Sequence, residues 1–173
     1  MKSMAAAISQ PPKMHCPCTI AIIGFGRSRQ RKWLSVYTPR AKRPQSYGAR
    51  GAARVPAVAG GSWDDAEAEV ARTHPHWTEH ALAYRANFAA SLLGEVPGTV
   101  EIVRELHAGG VPLLGLTNWS HELYPHAPAR FKFLSLLDDV VVSGTEGVAK
   151  PDPAVFAIVA KRAGVPLERL AFV

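Results

Sequence analysis

The first 60 residues of the chain contain no aspartate and no glutamate. They hold 11 lysines and arginines, whereas residues 61–173 hold the other nine together with all 14 acidic residues. The net charge of +6 is therefore the sum of a segment of +11 and a segment of −5. A basic segment can reflect a nucleic-acid or membrane partner. It can also indicate that the two parts of the chain did not evolve as one fold.

Cysteine is also scarce, since Cys16 and Cys18 are the only two in the chain. Two cysteines one residue apart do not make a disulfide framework, so we expect a reducing, cytoplasmic location. They could bind a soft metal only together with a second pair of ligands, which the sequence does not contain. No apolar run is long enough to cross a membrane as a helix, and we expect no membrane partner.

The chain divides into three predicted segments. Residues 1–60 are predicted to be disordered or to be read from a shifted frame, because most of this segment is rich in Arg, Ala, Gly and Pro without helical or strand period. Residues 61–95 are predicted to form a small helical cap, in which Ser62 caps the first helix, residues 78–94 form the second, and Trp63, Trp77 and Phe88 pack together. Residues 96–173 are predicted to form the core.

The predicted core alternates helix and strand three times, which indicates an α/β fold with a parallel sheet and flanking helices. Ligands of such sheets bind beyond the carboxyl ends of the strands. Strands are predicted at 111–117, 140–143 and 170–173. Helices are predicted at 99–108, where Gly109 and Gly110 stop the helix, at 121–139 with an irregular end, and at 153–164 with Asp152 as the cap.

A further apolar run, TIAIIGFG at 19–26, indicates a buried strand near the start of the chain. GFGRSR begins like a dinucleotide-binding loop, but Arg29 stands where the last glycine belongs and no clear helix follows. We therefore expect no dinucleotide cofactor. The arginines that follow are not interleaved with stacking aromatics in a known module, so we do not expect a nucleic-acid partner.

Two strand ends of the core carry polar residues. LTNWS places the hydroxyl of Thr117 and the amide of Asn118 after one strand, and GVAKPDP places Lys150 before the helix that follows the next strand. A helix N-terminus favours anions, and a lysine there adds a point charge. These residues predict a site for phosphate or carboxylate at the sheet edge. The alternative is a solvated lysine and an ordinary strand-end turn.

The same residues resemble the haloacid dehalogenase (HAD) superfamily of hydrolases. LLGLTNWS is similar to its second motif, an apolar strand ending in Thr or Ser, and SGTEGVAKPDPAVF is similar to its third motif, a lysine before a Pro-Asp-Pro helix. LERLAFV is similar to the strand that leads into the fourth motif. The resemblance covers residues 95–173 and implies a Rossmann-like HAD core with a small helical cap.

The resemblance implies roles for three residues, Thr117, Asn118 and Lys150. Thr117 would bind the transferring phosphoryl group with help from Asn118, and Lys150 would neutralise the charge shared by nucleophile and phosphate. These three are the predicted catalytic residues. Thr117, Asn118 and Trp119 are the predicted substrate contacts, with Trp119 either facing the substrate or covering the sheet edge. The expected partner is a small phosphate ester or haloacid.

The resemblance also implies groups that this chain lacks. The nucleophile of the family is an aspartate at the end of an N-terminal strand, followed in the phosphatases by a second aspartate, with Mg²⁺ bound close by. Those positions fall on Gly24 and Gly26, and the aspartates of the fourth motif would follow Val173, the last residue. Mg²⁺ is the expected cofactor of the family, but we predict no metal ligands here and a fold incomplete at both ends.

Three functions stay open at this point. The resemblance favours a phosphatase of small phosphorylated metabolites that is inactive in this chain as written. A 2-haloacid dehalogenase is the alternative within the fold, since Asn118 suits either. The alternative from another class is a non-catalytic remnant that binds an anion at Thr117 and Lys150. A reading-frame error near residue 60 would explain the missing aspartate, and this hypothesis fails if no other frame upstream encodes an apolar strand ending in Asp.

We expect the purified chain to release no p-nitrophenolate from p-nitrophenyl phosphate, with or without Mg²⁺, because a glycine occupies the expected nucleophile position. The measurement is absorbance of the released product at neutral pH. Turnover that requires Mg²⁺ and is abolished by Lys150→Ala would contradict this prediction.

Overall fold

One four-stranded sheet forms the centre of the protein. A computed structural model describes residues 20–24, 56–96 and 98–172. The strands are β1 (Ile20–Gly24), β2 (Leu113–Thr117), β3 (Asp139–Val142) and β4 (Ala171–Phe172), in the order β3–β2–β1–β4 across the sheet. The three strands predicted for the core are therefore confirmed. β2 and β3 are parallel, with Thr117 opposite Val142.

β1 departs from the predicted parallel sheet. It lies between β2 and β4 and runs antiparallel to both, so that the other three strands share one direction. Gly24 is opposite Leu113, and Ile20 is opposite Thr117. The expected nucleophile position at Gly24 therefore lies beside the start of β2, at the opposite end of the strand from Thr117. Gly26 lies outside the described residues. A short apolar run gives no signal for strand direction, because backbone groups pair in either direction.

Seven α-helices occur in the described part of the chain. They are α1 (Trp63–Thr73), α2 (Thr78–Ala86), α3 (Phe88–Ser91), α4 (Thr99–Ala108), α5 (His126–Arg130), α6 (Ser143–Glu146) and α7 (Pro153–Ala163). Short 3₁₀ helices occur at Pro56–Ala59, Pro75–Trp77, Lys132–Leu136 and Leu167–Arg169. Among these helices, none is long and apolar enough to cross a membrane.

The capping residues explain where the helices begin and end. The Ser62 hydroxyl accepts from the Asp65 N–H at 3.0 Å at the start of α1, as predicted. Asp152 accepts from the Ala154 N–H at 2.9 Å at the start of α7. Gly164, with φ of 66°, ends α7 in the left-handed conformation that glycine adopts without strain. The helices predicted over 99–108 and 153–164 are therefore confirmed.

Two predicted helices are shorter than expected. The run 78–94 is interrupted at Asn87 and becomes α2 and α3. The run 121–139 contains only α5 and a 3₁₀ helix. Pro125 lacks the N–H group that a continuous helix over 121–139 requires, and α5 begins only after it. Trp77 also differs from the expectation of a packed cap, because 51% of its surface is exposed.

Both faces of β2 are covered, which confirms the α/β class. All five of its residues are buried. Leu113 packs in one core cluster with Val103 of α4, whereas Leu116 packs in a second cluster with Val155 and Val159 of α7. Successive side chains of a strand point to opposite faces, so the two clusters lie on opposite sides of the sheet. The helices over 63–91 precede this core, and their assignment as a separate cap stays a prediction.

The basic segment predicted to be disordered or out of frame contains two described parts, β1 and residues 56–60. Ala57 is fully buried, and the Val58 carbonyl accepts a hydrogen bond from the Ser143 hydroxyl at 2.6 Å. Residues 56–60 thus belong to the folded core, upstream of the predicted boundary at 61. The rest of that prediction, including Cys16 and Cys18, lies outside the described residues.

Gly144 allows α6 to approach the loop that follows β2. A Cβ atom at this position would lie 2.5 Å from the His121 amide nitrogen and 2.7 Å from the Trp119 carbonyl oxygen. We expect Gly144→Ala to lower the free energy of unfolding by about 3 kcal/mol, because these backbone atoms can move only with the whole loop. Urea denaturation measures the change. Gly94→Ala, which meets nothing within 4 Å, is the matched control. Equal losses in the two variants would contradict the close approach.

Candidate functional site

The parallel pairing of β2 and β3 brings the predicted site residues to one edge of the sheet. Thr117 ends β2, and the chain after β3 passes through α6 to Lys150, which lies just before α7. The Lys150 ammonium donates from Nζ to the Leu116 carbonyl oxygen at 3.0 Å. The charged group is therefore beside the peptide unit that precedes Thr117. The structure thus brings Thr117, Asn118 and Lys150 together, and their catalytic roles stay predictions.

The side chain of Asn118 joins the two loops. Its Oδ1 accepts from the Lys150 N–H at 2.8 Å, and its Nδ2 donates to the Lys150 carbonyl oxygen at 2.9 Å. These two bonds, here called the Asn118–Lys150 clamp, fix the backbone of Lys150 next to the end of β2. Asn118 therefore positions the lysine, a role that sequence reasoning missed because the two residues are far apart in the chain.

The hydroxyl of Thr117 is buried without a partner. Thr117 has no exposed surface, and its Oγ1 makes no hydrogen bond among the described residues. A buried hydroxyl without a partner costs about 1–3 kcal/mol, so such groups are uncommon in folded proteins. An anionic oxygen that accepts from this hydroxyl would remove the cost. Among the predicted site residues, Thr117 shares this property with Trp119, whose indole Nε1 is also buried without a partner among the described residues.

Lys150 is half-buried and has no counter-ion. Burial lowers the pKa of its ammonium below the ordinary lysine value, because the charged form loses hydration. In the described part of the chain no carboxylate forms an ion pair with it, whereas Arg85 and Arg162 each pair with at least two carboxylates. Nζ also lies 5.8 Å from the centre of the Phe172 ring. An anion at this edge would supply the missing negative charge.

Comparison with known protein families identifies the family to which the chain belongs. The profile of the haloacid dehalogenase-like hydrolases matches residues 32–173. The chain belongs to this family. The match begins inside the basic segment and includes both strand ends of the site. The resemblance drawn from the two motifs is therefore confirmed, and so is the α/β fold. Neither a curated protein nor a solved structure gives a significant match.

Trp119, which follows the second HAD motif, is buried in an aromatic cluster. Its ring meets Phe88 and Tyr124 edge-on, with centroids 5.8 Å away in both cases, and only 5% of the residue is exposed. Its backbone N–H donates to the Ser143 hydroxyl at 3.0 Å. The side chain therefore covers the sheet edge in this conformation, which is one of the two predicted arrangements. Its contact with substrate stays a prediction.

Ser143 is a second residue at this edge, to which the sequence alone gave no specific role. It is fully buried at the start of α6. Its hydroxyl accepts from the Trp119 N–H and donates to the Val58 carbonyl oxygen, so it links three segments of the chain. The signal available in the sequence was its place directly after the β3 run, at the edge where α/β proteins bind ligands.

The described residues at this edge do not fit Mg²⁺, although HAD-like hydrolases generally use it. Mg²⁺ binds carboxylate and other oxygen ligands, and no group of three or more His, Cys, Asp or Glu side chains in the described ranges could hold a metal ion. The charged groups at the edge are the Lys150 ammonium, which repels cations, and the single carboxylate of Asp152, which caps α7. Asp139 lies at the other end of β3, where it pairs with Arg162. We therefore derive no step through a metal.

Proposed function

We propose that this HAD-like hydrolase binds the phosphoryl group of small phosphate esters at Thr117, Asn118 and Lys150. The observation that carries the proposal is that, among the described residues, the buried Thr117 hydroxyl has no hydrogen-bond partner and the Lys150 ammonium pairs with no carboxylate. Phosphate oxygens accept strongly from hydroxyl and ammonium groups, and their negative charge balances the lysine. One phosphoryl group would thus satisfy both residues.

The start of α7 supports the same ligand. Lys150 precedes this 11-residue helix by three positions, and Asp152 already caps its Ala154 N–H. A helix start carries a partial positive charge, which adds to the charge of the lysine. The Asn118–Lys150 clamp keeps both sources of positive charge beside the end of β2. Phosphate is favoured over a carboxylate because it carries more negative charge and more acceptor oxygens.

Hydrolysis by the family mechanism requires an aspartate that attacks phosphorus. The chain has no acidic residue before Asp64. Gly24, at the expected nucleophile position, is opposite Leu113 at the start of β2. We therefore infer that this chain binds a phosphate ester without hydrolysing it. A 2-haloacid is the alternative ligand, since its carboxylate can accept from the same two donors.

Calorimetric titration with inorganic phosphate and with glycerol 3-phosphate tests this proposal. We expect Lys150→Met to weaken phosphate binding by about tenfold or more, because the variant removes the charge and keeps the length of the side chain. Thr117→Val should also weaken binding, and it should raise the free energy of unfolding by about 1 kcal/mol, because it removes an unsatisfied buried hydroxyl and keeps the shape. Urea denaturation gives the second quantity.

Lys161→Met is the matched control, since Lys161 is exposed on α7 away from its start. It should leave phosphate affinity unchanged. A wild-type chain that binds no phosphate ester would overturn the proposal. Preference for 2-chloropropionate over phosphate would favour the dehalogenase alternative. A Thr117→Val variant that is less stable and binds phosphate normally would show that the hydroxyl has a partner within the fold.

A further inference from the structure

A second set of polar contacts joins α1 and α2 to the loop that follows Asn118. The Glu122 carboxylate accepts from the Trp63 backbone N–H at 2.8 Å and from Arg85 Nη2 at 2.7 Å. The Ser120 hydroxyl accepts from the Trp63 indole N–H at 2.9 Å. We call these four residues, Trp63, Arg85, Ser120 and Glu122, the latch.

The helices α1 and α2 depend on polar contacts more than the rest of the fold does. Neither helix has a buried residue. Their aromatic contribution is a chain of ring contacts in which Trp63 meets Tyr84 and Tyr84 meets Phe88, each with centroids 5.7 Å apart. A region that buries little apolar surface opens locally at a lower free energy than the core. The latch is thus a large part of what holds these helices in place.

The loop side of the latch is continuous with the site. The Ser120 hydroxyl also accepts from the N–H groups of Glu122 and Leu123, at 3.1 and 3.3 Å, so it organises its own turn. This turn begins two residues after Asn118. The Trp119 carbonyl between them accepts from the Gly144 N–H at 2.9 Å. Movement of the turn would therefore act on the loop that carries Asn118 and, through the clamp, on Lys150.

Arg85 is the centre of the latch because three carboxylates share it. Asp64 and Glu67 of α1 pair with its Nη1, and Glu122 pairs with its Nη2. One oxygen of Glu67 is buried and has no hydrogen-bond partner among the described residues. Without the guanidinium, three negative groups would face one another across the boundary between α1 and the loop, and they would repel. Loss of the arginine should thus separate the helices from the loop.

We propose that Arg85 and Glu122 are positioning residues that hold α1 and α2 against the core and thereby fix the loop at Thr117 and Asn118 for its anion. The effect on the anion rests on the proposed function. The effect on the helices does not, because it follows from the latch contacts alone. The chain thus uses one arginine to connect a weakly buried helical pair to its candidate site.

Hydrogen exchange of the full chain, followed by mass spectrometry, tests the latch. Arg85→Gln should speed exchange of the α1–α2 amides and of residues 119–123 by about tenfold, while exchange in α7 stays unchanged. Arg85→Lys should restore part of the protection, because it keeps one charge but not the two-sided hydrogen bonding. Glu122→Gln should have a smaller effect than Arg85→Gln, since its amide oxygen can still accept from the Trp63 N–H.

Arg72→Gln is the matched control. Arg72 lies on α1 and pairs only with Glu69 of the same helix in the described part of the chain, and both side chains are more than half exposed. It should leave exchange unchanged. The latch would be overturned if hydrogen exchange became faster to the same extent in Arg72→Gln and Arg85→Gln. It would also be overturned if exchange in Arg85→Gln became faster to the same extent in α7 as in α1–α2.

Phosphate titration of the same variants separates the two parts of the proposal. Arg85→Gln should weaken phosphate binding several-fold, whereas the urea concentration at the midpoint of core unfolding should not change. This combination is expected of a residue that positions the site without stabilising the core. Faster exchange in α1–α2 with unchanged phosphate affinity would overturn the link to the site and leave the latch standing. A wild-type chain without phosphate affinity would overturn the proposed function alone, since the exchange experiment needs no anion.

Discussion

The two hydrogen bonds between the Asn118 side chain and the Lys150 backbone are the contacts on which the candidate site depends. They join the loop after β2 to the loop before α7, two segments that lie far apart in the sequence. With this clamp in place, the Lys150 ammonium donates to the carbonyl of Leu116, the residue before Thr117. The start of α7 is held at the same edge, so two sources of positive charge meet one unsatisfied donor.

Arg85, Arg162 and Lys150 differ in whether they pair with carboxylates among the described residues. Arg162 pairs with Asp139 and Glu146 and ties α7 to β3 and α6, and Arg85 pairs with three carboxylates at the latch. Lys150 is half-buried and, in the described ranges, pairs with no carboxylate. Structural cations of a fold are usually satisfied within it, whereas a cation left without a counter-ion beside an unsatisfied hydroxyl is typical of a binding site. This contrast is the physical basis for assigning an anion to the edge.

Local patterns in the sequence were sufficient to predict much of the fold. The apolar run of β2, the Asp152 cap of α7 and the glycines after α4 depend on neighbouring residues, so the pattern predicts them correctly. The residue types at the two strand ends also indicated that Asn118 and Lys150 come together. The direction of β1, the Asn118–Lys150 clamp and the sharing of Arg85 depend on residues far apart in the chain. No periodicity or spacing encodes them, and Pro125, after which α5 begins, outweighed the apolar pattern of the run 121–139.

The pKa of the Lys150 ammonium, measured by NMR with and without phosphate, tests the assignment of the anion most directly. Lys150→Met identifies the signal. Without phosphate we expect a pKa below that of a free lysine, because burial disfavours the charged form. Phosphate should raise this pKa, because a neighbouring anion favours the charged form, and its affinity should fall as the pH rises through the pKa. A pKa that phosphate leaves unchanged would contradict an anion site at this edge.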